Sequence, residues 1–226
     1  ASNGNETFAS SAPYHDAMTN VISVTGLQKR YGRITALDGI DFSEISARKI
    51  EVCYTPDAVS QPVAELTVGL VIALARGIAT ADRGMRAGRW NRIVGPELRG
   101  RVLGIVGLGR IGRLVAMNFR AKGMEVWAND IAPDEKFARE HGIRFVEKNE
   151  IYAGADVITL HVPLTEKTRG LIGADELKAM KKSAYLVNTS RGPIVDHSAL
   201  CSALREKTIA GAAIDVYEHE PYSGEL

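Results

Sequence analysis

Three glycines at a fixed spacing and one acid downstream of them are the residues in this 226-residue chain best placed to do chemistry together. The run Gly107-Leu108-Gly109-Arg110-Ile111-Gly112 has the spacing of a dinucleotide-binding turn. Gly107 permits a tight reversal, Gly109 lets the main chain approach a pyrophosphate, and Gly112 lets a helix lie close on a strand. The amides that open such a helix are unpaired, and the helix dipole favours an anion there. Arg110 can add a charge contact, and Ile111 belongs to the same phosphate-binding turn. Asp130 stands eighteen residues beyond Gly112, close to the ~20 expected of an acid that binds a ribose. A carboxylate there repels a 2′-phosphate, and no arginine immediately follows it, so the spacing predicts NAD rather than NADP. A bland reading stays open, in which the glycines only form a turn and Asp130 only caps a helix.

The glycine run can work this way only if it follows a strand and opens a helix, and the surrounding pattern predicts both. Strands are expected at Val102 to Val106, Glu125 to Ala128, Arg144 to Val146, Val157 to Leu160, Ala184 to Val187 and Ala212 to Val216. Helical stretches fall between them, near Gly109 to Ala121, Glu135 to His141, Ala174 to Met180 and Ser198 to Glu206. Such alternation predicts an α/β fold, a doubly wound parallel sheet of the Rossmann type. Upstream, Ser60 offers a cap, Pro62 suits a first turn, and Leu66, Leu70, Leu74 and Ile78 recur at helical spacing. They predict one long helix to about Gly84.

Composition narrows the partners. Basic and acidic residues number 28 and 27 and are interspersed, which favours neither nucleic acid nor an anionic membrane. The longest apolar run, Leu66 to Ala75, is about half the ~20 residues of a membrane-spanning helix. Two cysteines, Cys53 and Cys201, make no disulfide framework and have no metal-ligand spacing, so no metal is expected and a reducing cytoplasm fits. Ala1 to Ala12 has neither the basic flank nor the apolar core of a signal and reads as a disordered tail, with Asn5-Glu6-Thr7 an accidental glycosylation match.

Beyond the glycine run stand His161-Val162-Pro163-Leu164-Thr165, Asn188-Thr189-Ser190-Arg191-Gly192-Pro193-Ile194-Val195-Asp196 and Ala213-Ile214-Asp215-Val216-Tyr217-Glu218-His219-Glu220-Pro221. In combination they resemble the D-isomer-specific 2-hydroxyacid dehydrogenases. Thr55-Pro56-Asp57, Val63-Ala64-Glu65 and Arg86-Ala87-Gly88-Arg89-Trp90 fit too, so the resemblance runs from about Asp38 to Pro221. Phosphoglycerate and glyoxylate/hydroxypyruvate types are most similar; the formate branch is less so, because Glu220 stands where it carries Gln. The resemblance implies an NAD-dependent oxidoreductase acting on the CH–OH group of small D-2-hydroxy acids, reducing 2-keto acids. It implies that Arg191 holds the substrate's carboxylate and keto oxygen, a task suited to a planar fork of donors. Asp215 would accept from the nicotinamide carboxamide. His161, Pro163 and Thr165 would line the ribose and adenine side, and Thr189 would join the cofactor contacts. The bland alternatives are a surface charge for Arg191, a strand-end cap for Asp215 and a structural role for His161.

Reduction also needs a proton, which the family takes from a histidine supported by a glutamate. Glu220 matches the glutamate. The histidine is expected beyond Leu226, and His219 is set aside because neighbouring side chains on an extended segment point apart. The chain is therefore expected to be truncated at both ends of the family's pattern. Residues 1–60 are expected to be a remnant or chimeric segment in place of a full substrate domain, and 61–226 the dinucleotide domain. Within the former, residues 19–43 resemble the opening strands of an ATP-binding-cassette ATPase, with Tyr31 as its adenine-stacking aromatic. The chain has no Gly-Lys dipeptide, so no phosphate-cradling loop for ATP is present. The competing functions are an NAD-binding module or corepressor-like sensor without turnover, and an inactive fragment. A homodimer built through the long helix is implied by the family.

Overall fold

The computed structural model describes residues 30–31, 34–35, 47–49 and 58–222. The expected N-terminal tail, Cys53, Thr55-Pro56-Asp57 and most of the cassette-like segment lie outside the described residues. Within that segment β1 (Arg30–Tyr31) pairs antiparallel with β2 (Ile34–Thr35).

From Ser60 the chain runs α1 (Ser60–Arg76), α2 (Ile78–Arg86), β3 (Val102–Val106), α3 (Arg110–Ala121), β4 (Glu125–Asn129), α4 (Glu135–His141) and β5 (Ile143–Phe145). It continues α5 (Lys148–Gly154), β6 (Val157–Leu160), α6 (Ala174–Ala179), β7 (Tyr185–Asn188), α7 (His197–Arg205) and β8 (Gly211–Ile214). Six strands form one parallel sheet in the order β5-β4-β3-β6-β7-β8. The order reverses between β3 and β6, so this is the doubly wound fold with its switch point there. Strands covered on both faces lack a polar side, which is why Val102–Val106 reads as a continuous apolar run and Val157–Leu160 as one broken only by the buried Thr159. One core packs Leu103, Ile105, Val126, Val115 and Phe119 under α1 and α3. The other packs Ile158, Leu160 and Leu186 against Ile151, Leu177 and Leu200 of α5, α6 and α7. Each such side chain contributes about 1.5–3 kcal/mol by leaving water.

The predicted long helix is two helices. Gly77 closes α1 at φ +63°, its N–H meeting the carbonyls of Ala73 and Leu74, and α2 departs at 66°. A Cβ at Gly77 would also press on Ile93 Cγ2 at 2.7 Å. A left-handed glycine of this kind is a common helix stop, and the leucine periodicity ran through it unseen. Ser60 is the first helical residue rather than the cap; Val59 precedes the helix with no side-chain cap. The buried face of α1 is Ser60, Ala64, Thr67, Val71 and Ala75, small residues that let it lie close to α3. Leu66 and Ile78 face outward instead. Helix α5 is absent from the sequence expectations because it buries only Ile151 and Tyr152, too few positions to show a period. β8 stops at Ile214, two residues short of expectation, and 218–221 bend. No single helix among the described residues is long and apolar enough to cross a membrane.

Candidate functional site

Across the sheet, Asn129 pairs with Val106, Val106 with Leu160, Leu160 with Asn188, and Asn188 with Ile214. Asp130, Gly107, His161, Thr189 and Asp215 are therefore the residues one step past the carboxyl ends of five adjacent strands. The ladder carries into this row: Gly107 N donates to Asn129 O at 2.8 Å, His161 N to Val106 O at 2.8 Å, and Asp215 N to Asn188 O at 3.0 Å. The carboxyl edge at the switch point is where open α/β sheets bind ligands.

The three glycines have three different surroundings. Gly107 has φ +98°, and a Cβ there would meet the carbonyl oxygen of His161 at 2.6 Å, so only glycine fits. A Cβ on Gly112 would collide with the Gly107 carbonyl oxygen and touch Ile105, which sets how closely α3 seats on β3. Gly109, the residue capping α3, has nothing within 4 Å of its would-be Cβ. Bare main chain thus borders open space at a helix start whose first amides lack intrahelical partners. That opening fits a pyrophosphate. Arg110 is exposed beside it, while Ile111 is half-buried and packs on the core.

Asp130 turns its carboxylate back on the glycine turn: Oδ2 accepts from Leu108 N at 2.7 Å and Oδ1 from Ala132 N at 2.9 Å. From the first turn of α3, Arg113 Nε donates to Leu108 O at 3.2 Å and Nη2 to Asp134 Oδ2 at 2.9 Å. The same guanidinium lies 4.4 Å from the centre of the Phe137 ring. The Phe137 amide is the main force holding the Asp134 carboxyl below its usual range, with Arg113 assisting against a partial loss of solvent.

His161 is half-buried with Nε2 3.0 Å from Thr159 Oγ1, and removal from water pushes its pKa down to about 4. A neutral imidazole at pH 7 is not a charged proton donor. Pro163 is exposed and its carbonyl accepts from Thr168 Oγ1 at 2.6 Å. Thr165 faces the same hydroxyl at 3.1 Å, so this pair shapes the loop after β6. Thr189 is buried, its Oγ1 3.0 Å from that of Thr67 on α1. Thr67 gives its proton to Val63 O at 2.8 Å, so Thr189 is the donor between the two. Its hydroxyl proton is thereby engaged with α1.

Arg191 is exposed; Nη1 donates to Ser190 O at 2.7 Å, and among the described residues it pairs with no carboxylate. Its turn is fixed by two residues to which sequence reasoning assigns no role. Asn188 accepts from Ser190 N and donates to Arg191 O, both at 3.0 Å, and Ser190 Oγ donates to Leu160 O at 2.5 Å. An asparagine at a strand end before a turn was the available signal. A Cβ on Gly192 would strike the main chain at Tyr217, so the Arg191 turn abuts the one carrying Glu220. Glu220 Oε1 accepts from Tyr217 N at 2.9 Å. The segment is bent rather than extended, which removes the premise on which His219 was set aside; His219 is exposed there. Asp215 is exposed at the end of β8.

Comparison with known proteins gives one answer. The model of the D-isomer specific 2-hydroxyacid dehydrogenase NAD binding domain matches residues 68–226. A glyoxylate reductase of Thermofilum pendens is 42% identical over 193 residues, covering 81% of this chain and 56% of that protein. A D-3-phosphoglycerate dehydrogenase of Methanocaldococcus jannaschii is 44% identical over 188 residues, covering 82% and 36%. The NAD-complexed D-isomer specific 2-hydroxyacid dehydrogenase of Lactobacillus delbrueckii ssp. bulgaricus superimposes with a TM-score of 0.68 at 33% identity, over 75% of this chain and 54% of that one. The chain thus spans little more than half of the longest-covered of these relatives. It belongs to the D-isomer-specific 2-hydroxyacid dehydrogenase family and carries that family's NAD-binding domain.

Proposed function

We propose that the protein to which this domain belongs reduces a small 2-keto acid to the D-2-hydroxy acid with NADH, or runs the reverse oxidation. The observation that carries this reading is the edge row: Asp130, Gly107, His161, Thr189 and Asp215 in line, with the exposed guanidinium of Arg191 in the next turn. The cofactor, when bound, supplies the hydride that reaches the keto carbon. Amides around Gly109 and Arg110, with Ile111, receive the pyrophosphate, and Asp130 receives the ribose hydroxyls. Asp215 orients the nicotinamide amide, and Pro163 and Thr165 flank the adenosine side. Arg191 binds the substrate's carboxylate and keto oxygen and stabilises charge growing on that oxygen. Glu220, in the abutting turn, is placed to support an acid that protonates the oxygen. Its carboxylate accepts from the Tyr217 amide.

We read 61–226 as the dinucleotide domain and 1–60 as belonging to a substrate domain. Support for a homodimer comes from exposed apolar side chains on and after the two helices: Leu66 of α1, Ile78 and Met85 of α2, and Trp90 and Val94, each of the last two 81% exposed. The cysteine count fits a cytoplasmic setting. The test uses NADH fluorescence with and without oxamate, a keto-acid mimic. Oxamate is expected to tighten NADH binding in the wild type and to have no effect in Arg191→Ala, whose NADH affinity stays within about twofold. Equal loss of both ligands in Arg191→Ala refutes the substrate role.

A further inference from the structure

We infer that Arg113 and Asp134 form a second determinant of cofactor choice: Arg113 steadies the phosphate-binding turn, and Asp134 keeps its guanidinium from a 2′-phosphate. The inference rests on the NAD reading of the site. Leu108 is gripped from both ends, its N–H by Asp130 at 2.7 Å and its C=O by Arg113 at 3.2 Å. These are consecutive peptide groups of the turn whose amides face the pyrophosphate. One grip comes from the strand that bears the ribose acid and the other from α3 itself. Loss of either lets the turn rotate, so Arg113 acts as a positioning residue.

The second role follows from charge. Arg113 contacts the same residue as Asp130 does, so it stands close to where a ribose 2′ substituent would lie. A guanidinium near the end of this strand is what accommodates a 2′-phosphate in NADP-dependent relatives of the fold. Here it is committed elsewhere: to Leu108, to Asp134 Oδ2 at 2.9 Å, and to the face of Phe137. Asp134 is itself anchored, because its other oxygen caps α4 through Phe137 N at 3.0 Å. Both side chains keep more than a third of their surface in water, so the effect is a modest bias rather than an absolute block.

The test measures NADH and NADPH affinities of the full chain by fluorescence titration. Asp134→Asn keeps an oxygen for the α4 cap and removes the negative charge. NADPH affinity relative to NADH should rise about threefold to tenfold, an effect that weakens in high salt. Asp134→Ser, which also caps, should behave alike. The gain should vanish in the Arg113→Gln/Asp134→Asn double variant. Arg113→Gln alone should weaken both cofactors by a similar factor, and Arg113→Lys should recover little, because an ammonium lacks the fork that meets two oxygens. An unmoved ratio in both Asp134 variants, or a gain that persists without Arg113, overturns the inference while tight NADH binding keeps the NAD reading. A wild type that binds neither cofactor overturns both.

Discussion

Alanine at Gly109 and alanine at Gly112 should separate ligand binding from folding, although the two positions lie three residues apart in one turn. At Gly112 the new methyl would fall on the Gly107 carbonyl oxygen and within 3.4 Å of Ile105 Cγ2. The first is main chain and the second belongs to a fully buried side chain, so neither can step aside and α3 must lift off β3. Overpacking of this kind costs about 1–3 kcal/mol. For a chain of this size that lowers Tm by roughly 2–12 °C. At Gly109 the backbone is extended and no protein atom lies within 4 Å of the methyl, so the cofactor-free variant should melt close to the wild type. The same methyl stands on the surface a pyrophosphate must approach. Losing one charge-assisted amide contact, about 1.5–3 kcal/mol, weakens NADH roughly tenfold to a hundredfold. Thermal melts without cofactor and NADH titrations read the two effects separately. Wild-type NADH affinity in Gly109→Ala would refute a pyrophosphate at this turn. A Gly112→Ala chain that melts with the wild type would refute the packing argument.

Asp130→Asn keeps an acceptor for the Leu108 amide and removes the charge that faces a 2′-phosphate. At about 5 Å and a dielectric between 20 and 80 that repulsion is about 1–3 kcal/mol per charge, so the ratio of NADPH to NADH affinity should shift at least about fivefold; an unchanged ratio sinks the ribose assignment. His161, with its pKa pushed down to about 4 by burial, binds fewer protons folded than unfolded, where it titrates near ~6.5. Its contribution is complete above pH 6.5 and falls by up to about 3 kcal/mol as pH drops toward 4; NMR should show no imidazole titration near neutrality, and one near 6.5 refutes the burial argument. At the opposite edge of the sheet, burial raises the pKa of Asp156, but the Val102 amide, Lys181 and Arg101 outweigh it and hold it low. That stabilisation is present above the unfolded value and lost as pH falls through the folded one. Asp156→Asn should cost about 1–2 kcal/mol at pH 7, given the exposure of both cations, and much less at pH 3; equal losses in urea unfolding at both would refute the charge argument.

What the sequence made legible is what is local. A strand buried on both faces shows itself as an apolar run, and the glycine turn states part of its constraint within six residues, because Gly112 answers to the main chain of Gly107, while Gly107 itself answers to the main chain of His161 on the neighbouring strand. Of the edge row, Gly107 and His161 follow at once from the expected ends of β3 and β6, whereas β4 and β7 run one residue further than the pattern predicts and β8 stops two short, which hides Asp130, Thr189 and Asp215 as members of one row. The supports of that row are not local and carry no motif. Thr67 reaches Thr189 across 122 residues, and Arg113 became significant only when its guanidinium was found on the carbonyl of Leu108. The same distinction explains α1. Leucine spacing announced a helix correctly, yet the choice of buried face was made by how closely Ala64, Thr67, Val71 and Ala75 let it approach α3 and the sheet. Leu70 and Leu74 flank that face, partly buried against the same core, while Leu66 is turned outward. A helix whose leucines divide between its own core and its outer side does not announce its buried face by their spacing. Its sequence period therefore locates the helix without saying which side each residue faces.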